Sequence, residues 1–153
     1  SLVGSEMCIR DRYNACQVLF EQGDEVIIFS PYWVSFPDFI SVTGAKPVFV
    51  NTISDSQYEP DFDDLQSKIN PDVRGIIINS PSNPTGSVMS ESEILKVIKL
   101  SRKYGFYIVS DECYVDIYLL LVVEYESLIY EMENISSFYF CILSSSNLSS
   151  ESL

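Results

Sequence analysis

The 153-residue sequence contains no histidine. A Ser-His-Asp relay and a histidine-ligated metal site are therefore both excluded. The four cysteines, Cys8, Cys16, Cys113 and Cys141, never fall at Cys-x-x-Cys spacing, so neither a zinc site nor a dithiol centre is indicated. Single scattered thiols are typical of a reducing compartment, and we expect a cytoplasmic protein that carries no metal.

Basic residues are scarce, with 9 Lys and Arg against 22 Asp and Glu and a net charge of -13. Binding to nucleic acid or to anionic lipid depends on Lys and Arg that displace counterions, so neither is an expected partner. The sequence also lacks an apolar run long enough to cross a bilayer. These absences favour a soluble cytoplasmic chain.

The composition changes abruptly at both ends. Residues 2–11 match the translation of a transposase adapter used to prepare sequencing libraries, and we interpret residues 1–12 as a non-native segment, with a natural N-terminal arm as the alternative. Residues 119–153 are rich in serine and acids and contain no Lys, Arg, Gly or Pro. This tail is interpreted as the product of a lost reading frame, or as a divergent natural segment. The remaining residues, 13–118, read as regular protein.

The middle of the chain alternates short apolar runs with helical patterns. A capping box at Ser90 and Glu93 starts one helix, and Gly105 can end it in a left-handed turn. Such alternation predicts an α/β fold with a mostly parallel sheet covered on both faces. The strands are expected at residues 25–29, 47–50, 75–79 and 106–109. The helices are expected at residues 13–21, 33–43, 61–69 and 90–104.

Polar or aromatic segments follow three of these strands, at residues 30–33, 79–86 and 110–114. Ligands of such sheets bind beyond the carboxyl ends of the strands, where these segments would meet. Taken singly, each segment has an ordinary structural interpretation: core aromatics, a proline turn and helix-capping acids. Taken together, in this order, they predict one ligand site.

The ordered set of motifs resembles a known family. Pro-Tyr-Trp-Val at residues 31–34, Asn-Pro-Thr-Gly at 83–86 and Asp-Glu-Cys-Tyr at 111–114 are similar to the large domain of fold-type I pyridoxal-phosphate enzymes, and most similar to class I aminotransferases of the aspartate and aromatic type. The resemblance covers about residues 13–118. It implies a partial three-layer sandwich, truncated relative to the whole large domain.

The resemblance also implies a cofactor, pyridoxal 5'-phosphate, and four residues that bind it. Asp111 would pair with the ring nitrogen and favour its protonated form, and Trp33 would stack on the ring. Asn83 and Tyr114 would donate hydrogen bonds to the phenolic oxygen. The implied substrates are an amino acid and a 2-oxo acid, and the parent enzyme would be a homodimer.

Three elements of the family pattern are not found in this sequence. No lysine follows Lys103, so the Schiff-base lysine has no counterpart and no catalytic residue is assigned. No arginine follows Arg102 to bind the substrate carboxylate, and the glycine-containing phosphate turn would fall before Tyr13. We therefore expect the polypeptide as written to be inactive.

Three alternatives stay open at this point. One is a β-lyase of the same fold, because the ring-binding residues are shared. A second is a Rossmann-like nucleotide-binding or interaction domain, although no Gly-x-Gly-x-x-Gly or phosphate-loop motif follows any predicted strand. A third is a fragment without function of its own.

Overall fold

The computed structural model describes residues 2–111 and 139–142, with side chains from residue 9 to residue 111. The strands of the described part are β1 (Glu25–Ser30), β2 (Lys46–Ile53), β3 (Glu59–Pro60), β4 (Val73–Asn79), β5 (Tyr107–Asp111) and β6 (Tyr139–Ile142). The helices are α1 (Leu2–Leu19), α2 (Phe36–Ser41), α3 (Phe62–Lys68) and α4 (Glu91–Tyr104), with a single 3-10 turn at Ser54–Ser56.

The six strands form one sheet in the order β3-β2-β1-β4-β5-β6. All neighbouring pairs are parallel except β2 and β3, which are antiparallel. The mostly parallel α/β sheet expected from the sequence is therefore confirmed. Because β1 lies between β2 and β4, the chain leaves β1 in one direction and returns on its other side, which opens a crevice at the carboxyl ends of these strands.

Both faces of the sheet are covered, as the continuous apolar runs of β1 and β4 require. One core lies between the sheet and the helices α3 and α4. The other lies between the sheet and the helices α1 and α2. Successive residues of β4 alternate between the two: Ile76 and Ile78 belong to the first core and Ile77 to the second.

Local signals place the ends of α3 and α4 where the sequence predicts them. The Asp61 carboxylate accepts hydrogen bonds from the backbone N–H groups of Asp63 and Asp64, and so caps α3. Ser90 and Glu93 form the reciprocal capping box of α4. Gly105 ends α4 with φ of 80°, a conformation that favours glycine.

Three boundaries differ from the expectation. The helix expected at 33–43 is only Phe36–Ser41, because Pro37 fits the first turn of a helix and marks its start. The helix expected at 13–21 ends at Leu19 and continues back to Leu2, across the segment interpreted as non-native. Strand β6 falls inside the tail of residues 119–153. The division of the chain at residues 12 and 118 stays a prediction.

No helix in the described part of the chain combines the length and apolarity needed to cross a membrane.

Candidate functional site

The candidate site lies at the carboxyl ends of β1, β4 and β5. Asn79 and Asp111 are the last residues of β4 and β5 and stand opposite each other in the sheet. Trp33 follows the end of β1 by three residues. The sheet order β1-β4-β5 therefore brings together the three segments that the sequence singles out.

Asp111 is the most buried acid of the site, with 1% of its surface exposed. Its Oδ1 atom lies 2.8 Å from Nη2 of Arg12, which donates a hydrogen bond to it. Its Oδ2 atom accepts a hydrogen bond from Nδ2 of Asn79 at 3.2 Å. A buried carboxylate is stable only when its charge is compensated, and here the Arg12 guanidinium and the Asn79 amide compensate it.

Trp33 forms the aromatic wall of the site. Its ring packs edge-to-face against Phe36 and Phe39, with centroid distances of 5.5 and 5.7 Å. The guanidinium carbon of Arg12 lies 4.8 Å from the centroid of the Trp33 ring. Asp111 and Trp33 thus contact the same guanidinium.

The loop after β4 is fixed through Asn79. The backbone N–H of Asn83 donates to Oδ1 of Asn79 at 2.8 Å, so one amide side chain holds both the loop and the Asp111 carboxylate. Thr85 bonds to the Ser87 hydroxyl at 2.7 Å, and Gly86 turns the chain with φ of 73°. Asn83 is half-buried in this loop.

The structure brings together three of the four predicted cofactor-binding residues: Trp33, Asn83 and Asp111. The fourth, Tyr114, lies outside the described residues. Their roles toward a cofactor stay predictions, since the geometry shows their places and not their ligand.

The sequence predicts no role for two residues of the site. Asn79 falls in the expected strand at 75–79 and in the ligand segment at 79–86, but its bonds to Asp111 and Asn83 are not predicted. Arg12 lies in the segment interpreted as non-native. Its signal was helical spacing, since Arg12, Ala15 and Cys16 share one face of α1 and all three are buried.

A small cavity of about 40 Å³ adjoins the site. Tyr32, Asn79 and Thr85 are among its lining residues, and Asp111 and Trp33 are not. This volume suits roughly one water molecule.

Comparison with known proteins gives a consistent result. The family model described as aminotransferase class I and II matches residues 10–142. The aspartate/prephenate aminotransferase of Thermus thermophilus is 36% identical over 124 residues, which are 81% of this chain and 29% of that protein. The aspartate aminotransferase of Bacillus sp. is 40% identical over 102 residues, which are 67% of this chain and 26% of that protein.

Solved structures agree with these relatives. The structure of Thermus thermophilus aspartate aminotransferase with maleate matches with a TM-score of 0.67 and 35% identity, over 69% of this chain and 28% of that one. The aromatic aminotransferase from Pyrococcus horikoshii matches with a TM-score of 0.67 and 27% identity, over 69% of this chain and 27% of that one. This chain spans less than a third of the length of these relatives. With the family model matching well over half of its residues, the chain belongs to the class I and II aminotransferases.

Proposed function

We propose that the chain contains part of the pyridoxal-phosphate site of an aminotransferase that moves an amino group from an amino acid to a 2-oxo acid. This proposal rests on one observation: the buried Asp111 carboxylate and the face of the Trp33 ring both contact the planar guanidinium of Arg12. The proposed parent enzyme is a cytoplasmic homodimer. Aspartate and prephenate-type substrates, named for its relatives, are the first ones to test.

The described residues fit the ring of this cofactor. A protonated pyridine is planar, carries a positive charge and has a single N–H donor. The Arg12 guanidinium is also a planar cation, and it directs one of its five N–H donors at Asp111. Asp111 is 1% exposed, so water cannot replace the donor that it needs. The indole of Trp33 offers a flat face that edge-to-face packing against Phe36 and Phe39 keeps in place.

When bound, pyridoxal phosphate supplies a ring that accepts electrons from the amino-acid substrate. The residues of this chain hold and tune that ring. Asp111 accepts the ring N–H and favours its protonated state, and Asn79 keeps the carboxylate oriented toward it. Trp33 fixes the tilt of the ring. Asn83 and Tyr114 are proposed donors to the phenolic oxygen.

We further propose that this polypeptide binds the cofactor without catalysing amino transfer. Lys46 lies at the amino end of β2 and pairs with Glu25, whereas Asp111 lies at the carboxyl end of β5. Lys68 pairs with Asp64 on α3, and the ammonium of Lys96 lies 4.6 Å from the Phe62 ring. These described lysines have partners away from the site, so none is placed to react with a carbonyl there.

Tryptophan fluorescence tests cofactor binding directly, because Trp33 is the single tryptophan of the sequence. Pyridoxamine phosphate at millimolar concentration should quench it in the full chain. Asp111→Asn should lower the affinity by about tenfold or more, since the ring cation loses its counterion. Asp72→Asn, which changes an exposed acid, is the matched control. Equal affinity in both variants would contradict the proposed site.

Amino transfer is assayed separately, with pyridoxal phosphate, aspartate and a 2-oxo acid. The expected result is no transfer above the protein-free rate, and measurable turnover would refute the proposed inactivity.

A further inference from the structure

We propose that Arg12 is an internal ligand of this site, which competes with the cofactor ring for Asp111 and Trp33. The proposal rests on the proposed function, because it takes the site to be the cofactor's. It adds that the chain as written carries its own competitor in α1, at the last residue of the segment interpreted above as non-native.

The contacts of Arg12 are those of a bound ligand. The side chain is buried, with 8% of the residue exposed, whereas arginine is mostly exposed in proteins. One guanidinium nitrogen donates to Asp111 Oδ1 at 2.8 Å, and the guanidinium carbon lies 4.8 Å from the centroid of the Trp33 ring. A planar cation therefore already has both of the partners that the cofactor ring needs.

The two cations cannot use these partners together. Asn79 holds Asp111 Oδ2, and Arg12 holds Oδ1. The neighbouring cavity is lined by neither Asp111 nor Trp33, so a ring bound there would not contact these partners. The ring can reach Asp111 and Trp33 only after the guanidinium leaves.

The competitor is also tethered. Arg12 lies one turn before Cys16, and Cys16 and Phe20 anchor α1 in the core beneath the sheet. A ligand held within the same folded chain acts at a high effective concentration and loses no translational freedom on binding. Free cofactor must overcome that advantage, so its apparent affinity falls.

The experiment compares the full chain with three variants, using pyridoxamine phosphate as the probe. This compound has no aldehyde and does not react with lysines, and Trp33 fluorescence reports its binding. Arg12→Ala removes the competitor. Arg12→Gln keeps a planar amide of similar length without the charge, and serves if Arg12→Ala does not fold by circular dichroism. Arg10→Ala changes an exposed arginine of the same helix and is the control.

We expect Arg12→Ala and Arg12→Gln to bind pyridoxamine phosphate about tenfold tighter or more than the parent chain, with Arg10→Ala unchanged. Methylguanidinium should compete with the probe in Arg12→Ala, because it refills the site. If both Arg12 variants bind the probe no tighter than the parent chain, the internal-ligand proposal is wrong and the cofactor site stands. If no chain binds the probe at any concentration, the proposed function fails and the competition fails with it.

Discussion

Nη2 of Arg12 and Oδ1 of Asp111, 99 residues apart in sequence, lie 2.8 Å apart and join α1 to the end of β5. Both side chains are buried, so the pair is shielded from the solvent that weakens surface ion pairs. Removing one partner leaves the other charge buried without full compensation. The pair therefore makes the fold and the site depend on each other.

A double-mutant cycle measures that dependence. Arg12→Ala should lower the free energy of unfolding by about 3–5 kcal/mol, as expected for breaking a buried pair. Arg10→Ala should change it by less than about 0.5 kcal/mol. The cycle itself uses Arg12→Met, Asp111→Leu and the variant that carries both changes. The double variant should lose less stability than the two single variants together, because it leaves no isolated charge. Strictly additive costs in urea titrations would show that the two side chains are not coupled.

Asn79 should matter for both the fold and the cofactor site. Asn79→Ala removes the donor to Asp111 and the acceptor for the Asn83 N–H, and each unsatisfied buried group costs about 1–3 kcal/mol. We expect lower stability and weaker binding of pyridoxamine phosphate. Asn14→Ala, at an exposed asparagine of α1, should lower neither. A variant that loses stability but binds the probe as tightly as before would limit Asn79 to a structural role.

Gly75 leaves room for the Phe20 ring on the sheet. A Cβ atom at this position would overlap that ring, which is buried and cannot easily move away. Gly75→Ala should therefore cost about 1–3 kcal/mol of stability through overpacking. Adding Phe20→Leu should recover part of that loss, although Phe20→Leu alone destabilises. Thermal unfolding of the four chains checks this, and a double variant less stable than both single variants would contradict it.

Glu25 should contribute to acid sensitivity. Hydrogen bonds from Lys46 and then Asn70 lower the pKa of the Glu25 carboxyl from its ordinary 4.5. A lowered pKa in the folded state stabilises the protein fully above the ordinary value, and this contribution is lost as the pH falls through the folded-state pKa. Glu25→Gln should therefore destabilise at neutral pH and lose its effect in acid. Urea unfolding at several pH values, with the exposed Glu21→Gln as control, measures the difference.

Cys16 should resist alkylation in the folded chain. Burial raises the pKa of its thiol to about 11, so near pH 8 only about one thiol in a thousand is ionised. Iodoacetamide followed by peptide mass spectrometry should label Cys16 slowly in buffer and rapidly in urea. Labelling at equal rates in both conditions would show that α1 does not cover the sheet there.

The strands and helices were predictable where the local composition indicates which residues are buried. The β1 and β4 segments are apolar without alternation, which is what strands covered on both faces require. The start of α4 was readable from Ser90 and Glu93. The two-residue strand β3, Glu59–Pro60, could not be predicted, because two residues carry no periodicity and their pairing with β2 is a tertiary effect.

The site was predictable to a similar extent. The rule that ligands bind at strand ends brought Asp111 and Trp33 to the same end of the sheet, where both contact Arg12. It could not identify Arg12 as the partner of both residues, because the burial of an arginine depends on its surroundings in the fold and not on its neighbours in sequence. Asn79 was likewise visible only as a strand end, since its two hydrogen bonds join separate segments.

The sequence separation between Arg12 and Asp111 also determines which part of the chain the site needs. Arg12 and Asp111 are 99 residues apart in sequence, and β1 and β4 lie between their segments in the chain. A chain that ends before β5 lacks Asp111, so Arg12 has no carboxylate to pair with at the end of this strand. The acid side of the site therefore depends on a long-range contact, whereas the packing of Trp33 on Phe36 and Phe39 depends only on residues close to it in sequence.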